Sequence, residues 1–328
     1  MKRIITYLVI TFGLTYGYCF LVVYPLVHNA DLAQSGAATA SIQTLAIAAV
    51  MFFPSIGVVL TRLFTKEGFK NAMVKPVEFK RSFKYYLLAW FGPTALAFAG
   101  AAIYYLIYPA DFDPNMSYYI ALTQSQLEAL GQPAMSAEAI RSMVSSQLVL
   151  MIVAAPAFNV ITCFSEEWGW RGYLFPKVNE RLSFVPSVLV TGVIWGIWHA
   201  PLTAIGHNYG LDYPGFPWLG IAAMCCFCVV VGTILSYVTV KAKSCLPAAI
   251  GHGAVNGFAG TGLIFSATGG NPFVGPLMVG FVGGSTLIAA AVIICIAMRK
   301  APKWQPALQA PETSQALPAE PYAGIPVE

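Results

Sequence analysis

Three short motifs hold most of the polar chemistry of an otherwise apolar chain: Ser165-Glu166-Glu167-Trp168-Gly169-Trp170-Arg171, Trp195-Gly196-Ile197-Trp198-His199 and His252-Gly253-Ala254-Val255-Asn256. A carboxylate, two imidazoles and a carboxamide are the parts that peptide hydrolysis needs. A glutamate stripped of water becomes a stronger base toward a water molecule, and one histidine can share the proton. A second histidine with an asparagine amide can steady the developing oxyanion. Glu167 and Arg171 stand four residues apart on one helix face, where they can pair. Glu166 is turned about 100° away by the 3.6-residue period, which leaves it as the carboxylate free for chemistry. His252 and Asn256 also share a face.

Plainer readings exist for each motif. Both glutamates could sit at a helix end, and His199, or His252 with Asn256, could serve packing alone. The chain has no Gly-x-Ser-x-Gly elbow, no phosphate-binding loop and no His-Glu-x-x-His helix. Zinc held by Glu166, His199 and His252 with an open fourth position is an alternative chemistry. The missing His-Glu-x-x-His spacing ranks it second, so the first expectation is no cofactor.

The elements that carry these motifs are membrane helices. A composition that is 57% apolar and only 10% charged excludes an ordinary water-facing surface. Apolar runs over 4–27, 42–60, 85–108, 147–173, 185–205, 218–238, 246–265 and 276–298 each approach the roughly 20 residues that a spanning helix needs. The expected fold is all-α, a polytopic bundle of about eight spans over residues 1–300. Its first run is too long for a usual signal peptide and is read as a retained helix. Residues 301–328 are rich in Pro and Ala and are expected to form a disordered tail. The polar stretch 109–142 could carry a short surface helix over 122–130.

Seven cysteines, Cys19, Cys163, Cys225, Cys226, Cys228, Cys245 and Cys295, lie in or beside apolar runs, which argues for packing and against a disulfide framework. The small-residue pairs Gly13/Gly17, Gly192/Gly196, Gly253/Gly257 and Gly280/Gly284 suit close helix approach. The net charge of +4 follows topology and gives no reason to expect a nucleic-acid partner. With Lys2 and Arg3 inside, segments 62–84, 174–184, 239–245 and 299–328 fall on the cytoplasmic side and hold nearly all the Lys and Arg. Asp31, Asp111, Asp113, Glu128, Glu138 and Asp212 fall outside. The positive-inside rule thus expects an integral membrane protein with both termini cytoplasmic.

Ionisable groups inside a span cost roughly 2.5–3.5 kcal/mol each on insertion scales and are functional candidates by default. Counting about 1.5 Å per residue from the cytoplasmic ends, Glu166 lies about 15 Å deep, His199 about 21 Å, and His252 and Asn256 about 9 and 15 Å. Three helices can therefore aim their polar groups at one chamber in the cytoplasmic half of the membrane. The rival from another class, a proton-coupled transporter, would string such groups across the bilayer as a relay.

Glu-Glu-x-x-x-Arg, aromatic-x-x-x-His and His-x-x-x-Asn, in that order on successive late spans, resemble the CAAX prenyl endopeptidase and bacteriocin-processing family of intramembrane proteases. The resemblance covers about 144–265. It implies that Glu166 activates the attacking water with His199, that His252 and Asn256 stabilise the tetrahedral intermediate, and that Glu167 and Arg171 have supporting roles. It implies a peptide or protein substrate, lipidated or not, and a bacterial-type inner membrane. Trp195 stands where the family often has Phe. Metal dependence, and a non-catalytic immunity or assembly role, stay open within the family.

The topology gives the first test. A cysteine introduced at Ser314 should resist a membrane-impermeant thiol reagent applied to intact cells and react after permeabilisation. Labelling from outside would overturn the orientation.

Overall fold

The computed structural model describes residues 1–29 and 37–305, the side chains of 37–40 excepted. Asp31 and most of the expected tail lie outside the described residues. Helix α1 (Lys2–Tyr18) runs through a π turn (Cys19–Val23) into α2 (Tyr24–His28), and α3 (Ala37–Ala49) reaches α4 (Phe53–Phe64) through a 3-10 turn. There follow α5 (Phe79–Ile107), α6 (Ser117–Ala129), α7 (Ala137–Phe158) and α8 (Val160–Gly169). A second π turn, Trp170–Leu174, leads into α9 (Phe175–Asn179). The chain continues as α10 (Phe184–Trp198), α11 (Ala200–Thr203), α12 (Trp218–Ala242), α13 (Leu246–Phe258) and α14 (Ser285–Met298). No strand occurs among the described residues.

Five helical stretches, Lys2–His28, Ser41–Phe64, Phe79–Ile107, Ala137–Phe158 and Trp218–Ala242, are long and apolar enough to cross a bilayer, and Phe184–Trp198 and Ser285–Met298 are shorter apolar helices. The protein is an all-α membrane bundle. Every apolar run of the sequence is at least partly helical, and the expected surface helix in the polar stretch appears as α6.

Two runs depart furthest from the single helices that apolarity predicts. The run over 147–173 is two helices that meet at Asn159. Pro156 removes a ladder donor near the end of α7, and Asn159 turns its amide Nδ2 back to the Ala155 carbonyl at 3.0 Å. Helix α7 also starts ten residues earlier than the run, where the Ser136 side chain accepts the Ala139 N–H at 3.1 Å as an N-cap. The run over 276–298 becomes helix only at Ser285. Before that, Gly275, Gly280, Gly283 and Gly284 let the chain fold into tight turns, with Gly275 at φ +150°.

The glycine pairs divide accordingly. At Gly192 a methyl group would stand 2.6 Å from the Val229 Cα, and at Gly196 it would run into the Cys225 backbone, so this pair lets α10 lie directly on α12. Gly253 does the same for α13 against the Pro156 carbonyl of α7. Gly13 and Gly17 meet nothing within 4 Å, and Gly280/Gly284 does not lie on one helix. Helix α8 is held between α4 and α13, and α13 also rests on α5.

The bundle has two distinct ends. At one, buried Asp111 takes hydrogen bonds from the Tyr104 and Ser266 hydroxyls and from the Thr268 backbone N–H at 2.9 Å, joining the segment after α5 to the segment after α13. At the other, all four Lys- and Arg-rich segments come together with the start of α1. Arg3 and Lys177 reach Glu67, Lys243 reaches Glu78, and the Trp304 N–H donates to Asn179 Oδ1. The segments expected to share one membrane face do share one end of the bundle.

Packing at α10/α12 gives a direct test. Gly192→Ala should cost about 1–3 kcal/mol through overpacking, seen as a lower midpoint of thermal unfolding in detergent, while Gly13→Ala leaves the midpoint in place. Equal midpoints for the two variants would show that α10 and α12 are not in this contact.

Candidate active site

The site is assembled where α8, α10, α12 and α13 meet. Glu166 and Glu167 are adjacent on α8, so the helical turn sends their side chains to different neighbours. Glu167 is fully buried. Its Oε1 accepts from Arg171 Nη1 at 2.9 Å and from His252 Nδ1 at 2.9 Å. Arg171, in the π turn, is equally enclosed, and Gly232 of α12 makes room for it: a methyl group there would stand 2.8 Å from Nη2. π turns within helices are frequent at functional sites because they re-aim side chains. Here the turn brings the guanidinium over the face of Trp195, 4.1 Å from the ring centroid.

Glu166 is 2% exposed and makes a different contact. Its Oε2 accepts the indole N–H of Trp195 at 3.1 Å, and it forms no ion pair among the described residues. The free carboxylate expected from helical geometry is thus the one that lacks a cation, while its neighbour is committed to Arg171 and His252.

The two histidines flank Trp195, His199 at 5.5 Å and His252 at 5.4 Å between ring centroids. His199 Nδ1 lies 2.9 Å from the Trp195 carbonyl. A carbonyl can only accept, so Nδ1 carries the proton and Nε2 is left as the second functional atom. The same logic applies to His252, whose Nδ1 faces a carboxylate. The partners differ in kind. His252 faces an anion, and His199 faces a neutral carbonyl, with Cys228 Sγ 3.7 Å away.

Asn256 stands apart from this group. Helices α8 and α13 are antiparallel here, so that His252 meets Glu167 and, one turn on, Asn256 Nδ2 lies 3.5 Å from Cys163 Sγ. Asn256 is exposed while Glu166, Glu167, Arg171, His199 and His252 are buried. The structure therefore gathers five of the six sequence-expected residues around one indole and places the sixth on the adjoining turn.

Trp195 is the residue that motif reading undervalued. It stood out only as an aromatic position four residues before His199, yet its N–H, ring face and carbonyl touch Glu166, Arg171 and His199 in turn. The site is also buttressed by the first span: buried Tyr7 packs its ring on Trp170 and Tyr173, and Thr15 Oγ1 accepts the Trp198 indole N–H at 2.7 Å. As arranged, the donors do not suit a metal ion. Among the described residues no three His, Cys, Asp or Glu side chains form a group that could hold one.

With this geometry in place, comparison with known proteins adds a likeness over the part of the chain that carries the site. Residues 146–258 match the family model for type II CAAX prenyl endopeptidase, Rce1-like. That is a family of intramembrane proteases, and the matched segment contains all six residues above. The resemblance read from the three motifs is borne out. A curated relative, CAAX prenyl protease 2 of Methanococcus maripaludis, is 30% identical over 93 residues, which are 28% of this chain and 34% of that protein. The chain thus matches about a third of that relative's length. Spans α1–α5 and α14 fall outside the match to the family model.

The buried charge network makes a testable prediction. Arg171→Ala strands the Glu167 carboxylate and should destabilise the fold by about 3–5 kcal/mol. The double variant Glu167→Gln with Arg171→Met removes both charges and leaves the His252 N–H an amide oxygen to donate to, so it should be milder than the single change. Thermal unfolding in detergent reads both, and a double variant as damaging as the sum of the singles would disprove the coupling.

Proposed function

We propose that this protein is an intramembrane endopeptidase in which Glu166 activates a water molecule within the bundle. The observation that supports this most directly is the unequal treatment of two adjacent buried glutamates. Glu167 is locked between Arg171 and His252, and Glu166 makes no ion pair among the described residues and accepts the neutral Trp195 N–H.

In this reading Glu166 takes a proton from water as the oxygen attacks the carbonyl carbon of the scissile bond. His199, neutral and protonated on Nδ1, presents Nε2 to share that proton. His252, as an imidazolium facing Glu167, donates from Nε2 to the oxygen that gains negative charge. Asn256 is one turn further along the same helix and supplies a second donor. When the tetrahedral intermediate collapses, the carbon–nitrogen bond breaks and Glu166 returns its proton to the leaving amine. No step needs a metal, in keeping with a donor set that does not converge on one point.

The substrate is a peptide or protein segment, and the name of the M. maripaludis relative points to prenylated substrates. Orientation follows from the charge pattern. The end where the basic segments meet is the cytoplasmic face, both termini lie there, and the chamber is entered from that side. The membrane is of the bacterial inner type.

Purified protein and quenched peptides, with and without a prenyl group, test the scheme. Glu166→Gln should abolish cleavage while substrate binding and the unfolding midpoint are retained. Asn256→Ala should lower turnover by about 10²–10³, and chelation should leave the wild type active. Stoichiometric zinc that is lost and regained together with activity would make Glu166, His199 and His252 ligands. Unimpaired cleavage by both Glu166→Gln and His252→Ala would refute either chemistry.

A further inference from the structure

The end of the bundle where the basic segments meet is hollow. A cavity of about 1060 Å³ opens there between the start of α1, the loop after α4, the ends of α9 and α12, and the residues after α14. Seven cationic side chains line it against two carboxylates, Glu67 and Glu180. Glu67 is already engaged by Lys177, Arg3 and the Tyr173 hydroxyl. Lys243 lies near Glu78, and Lys303 donates to the Arg181 carbonyl. Lys70 and Lys75, both exposed on the loop, have no carboxylate partner among the described residues.

Arg62 is the most informative of the seven. It is 3% exposed, and its two terminal nitrogens donate to the Gly68 and Asn71 carbonyls at 2.6 and 3.0 Å. Both partners are neutral, no carboxylate stands within ion-pair distance, and buried Nε has no hydrogen-bond partner among the described residues. Its guanidinium lies over the Phe69 and Tyr173 rings and feels Glu67, which Lys177 and Arg3 already engage, so at the wall of a cavity rich in cations it still suits an anion. Helix C-termini account for part of the positive charge, since Arg62 and Lys177 sit in last turns. They do not account for Lys70 and Lys75, which lie on the loop.

Beside Asn71, Asn179 and Gln305, much of the remaining lining is apolar. Phe69 and Val77 are exposed, and Val74 and Trp304 stand beside them. Cations next to exposed aromatic and aliphatic groups suit an amphiphile with an anionic head better than a free ion. We propose that this cavity binds the phosphate headgroup of an anionic phospholipid drawn from the surrounding membrane, with Lys70, Lys75 and Arg62 facing the phosphate. The site is separate from the hydrolytic chamber but mechanically joined to it. The loop that walls the cavity accepts the Trp168 indole N–H on the Ala72 carbonyl at 3.0 Å, and the Cys245 N–H on the Met73 carbonyl at 3.0 Å. Trp168 neighbours Glu167 on α8, and Cys245 opens α13, which carries His252. An occupied cavity therefore steadies the two helices that bear the charge network.

Thermal unfolding of the full chain in neutral detergent tests this with three additives: dihexanoyl phosphatidylglycerol, dihexanoyl phosphatidylcholine and inorganic phosphate. Phosphatidylglycerol should raise the midpoint by at least about 3 °C, and the other two should not. The double variant Lys70→Gln with Lys75→Gln, both changes at exposed positions, should keep the unliganded midpoint and lose the shift. Native mass spectrometry should show the bound phosphatidylglycerol disappear with it. An equal shift from phosphate alone would overturn the lipid as the source. Equal shifts from both lipids, or a shift that survives in the double variant, would overturn the site. None of these outcomes depends on cleavage, so failure here leaves the hydrolytic reading standing, and failure of that reading leaves this one to be judged alone.

Discussion

The requirement that a carboxylate and a guanidinium be buried together in a lipid-embedded bundle governs the rest of this structure. Neither charge is tolerable alone at such depth. Glu167 and Arg171 offset one another, His252 donates to the same carboxylate oxygen, and the Trp195 ring closes over the guanidinium. These three contacts join residues from α8, its π turn, α13 and α10, and they fit only because Gly232 leaves a space on α12. The packing of four helices is thus specified by a polar arrangement, in a solvent where apolar surface alone says little about which helix faces which.

One consequence is that two chemically identical residues become different. Glu166 and Glu167 share a backbone environment and differ by one step of the helix, yet one is compensated from two directions and the other accepts a neutral indole N–H. The histidines are separated in the same way. A carboxylate stands behind His252, and a neutral carbonyl stands behind His199. In the proposed chemistry, acid and base roles follow from the partner each side chain finds, with no need for special residue types.

What could be read from the sequence follows the range of each interaction. The Glu167–Arg171 pair and the turning away of Glu166 are local consequences of helical periodicity and were legible. That His252 belongs to Glu167 was not, because it depends on the antiparallel register of α8 and α13, fixed by close contacts at Gly253 and Asn159. The same register places Asn256 a turn beyond the buried cluster, although helix-face reasoning alone put it beside His252. Apolarity located the membrane runs but not their breaks. Pro156 with Asn159, and the glycines from Gly275 to Gly284, interrupt helices without lowering hydrophobicity. Trp195 was visible as a residue type and invisible as a hub, since nothing in a linear motif reveals which groups an indole will touch.

The two ends of the bundle are built on opposite principles, and the difference bears on how the chain sits in a membrane. At one end, buried Asp111 draws hydroxyl and backbone donors from the segments after α5 and after α13, a self-contained closure that needs no external charge. At the other, positive charge accumulates beyond what the local carboxylates neutralise, around an open cavity. An interface that is satisfied internally tolerates any aqueous phase. An interface with excess positive charge gains stability from a negatively charged surface beside it, and the anionic leaflet of a bilayer supplies one. In the proposed topology and lipid site, the basic residues that would orient the helices are also the ones that would meet lipid phosphates, so one charge asymmetry would serve both.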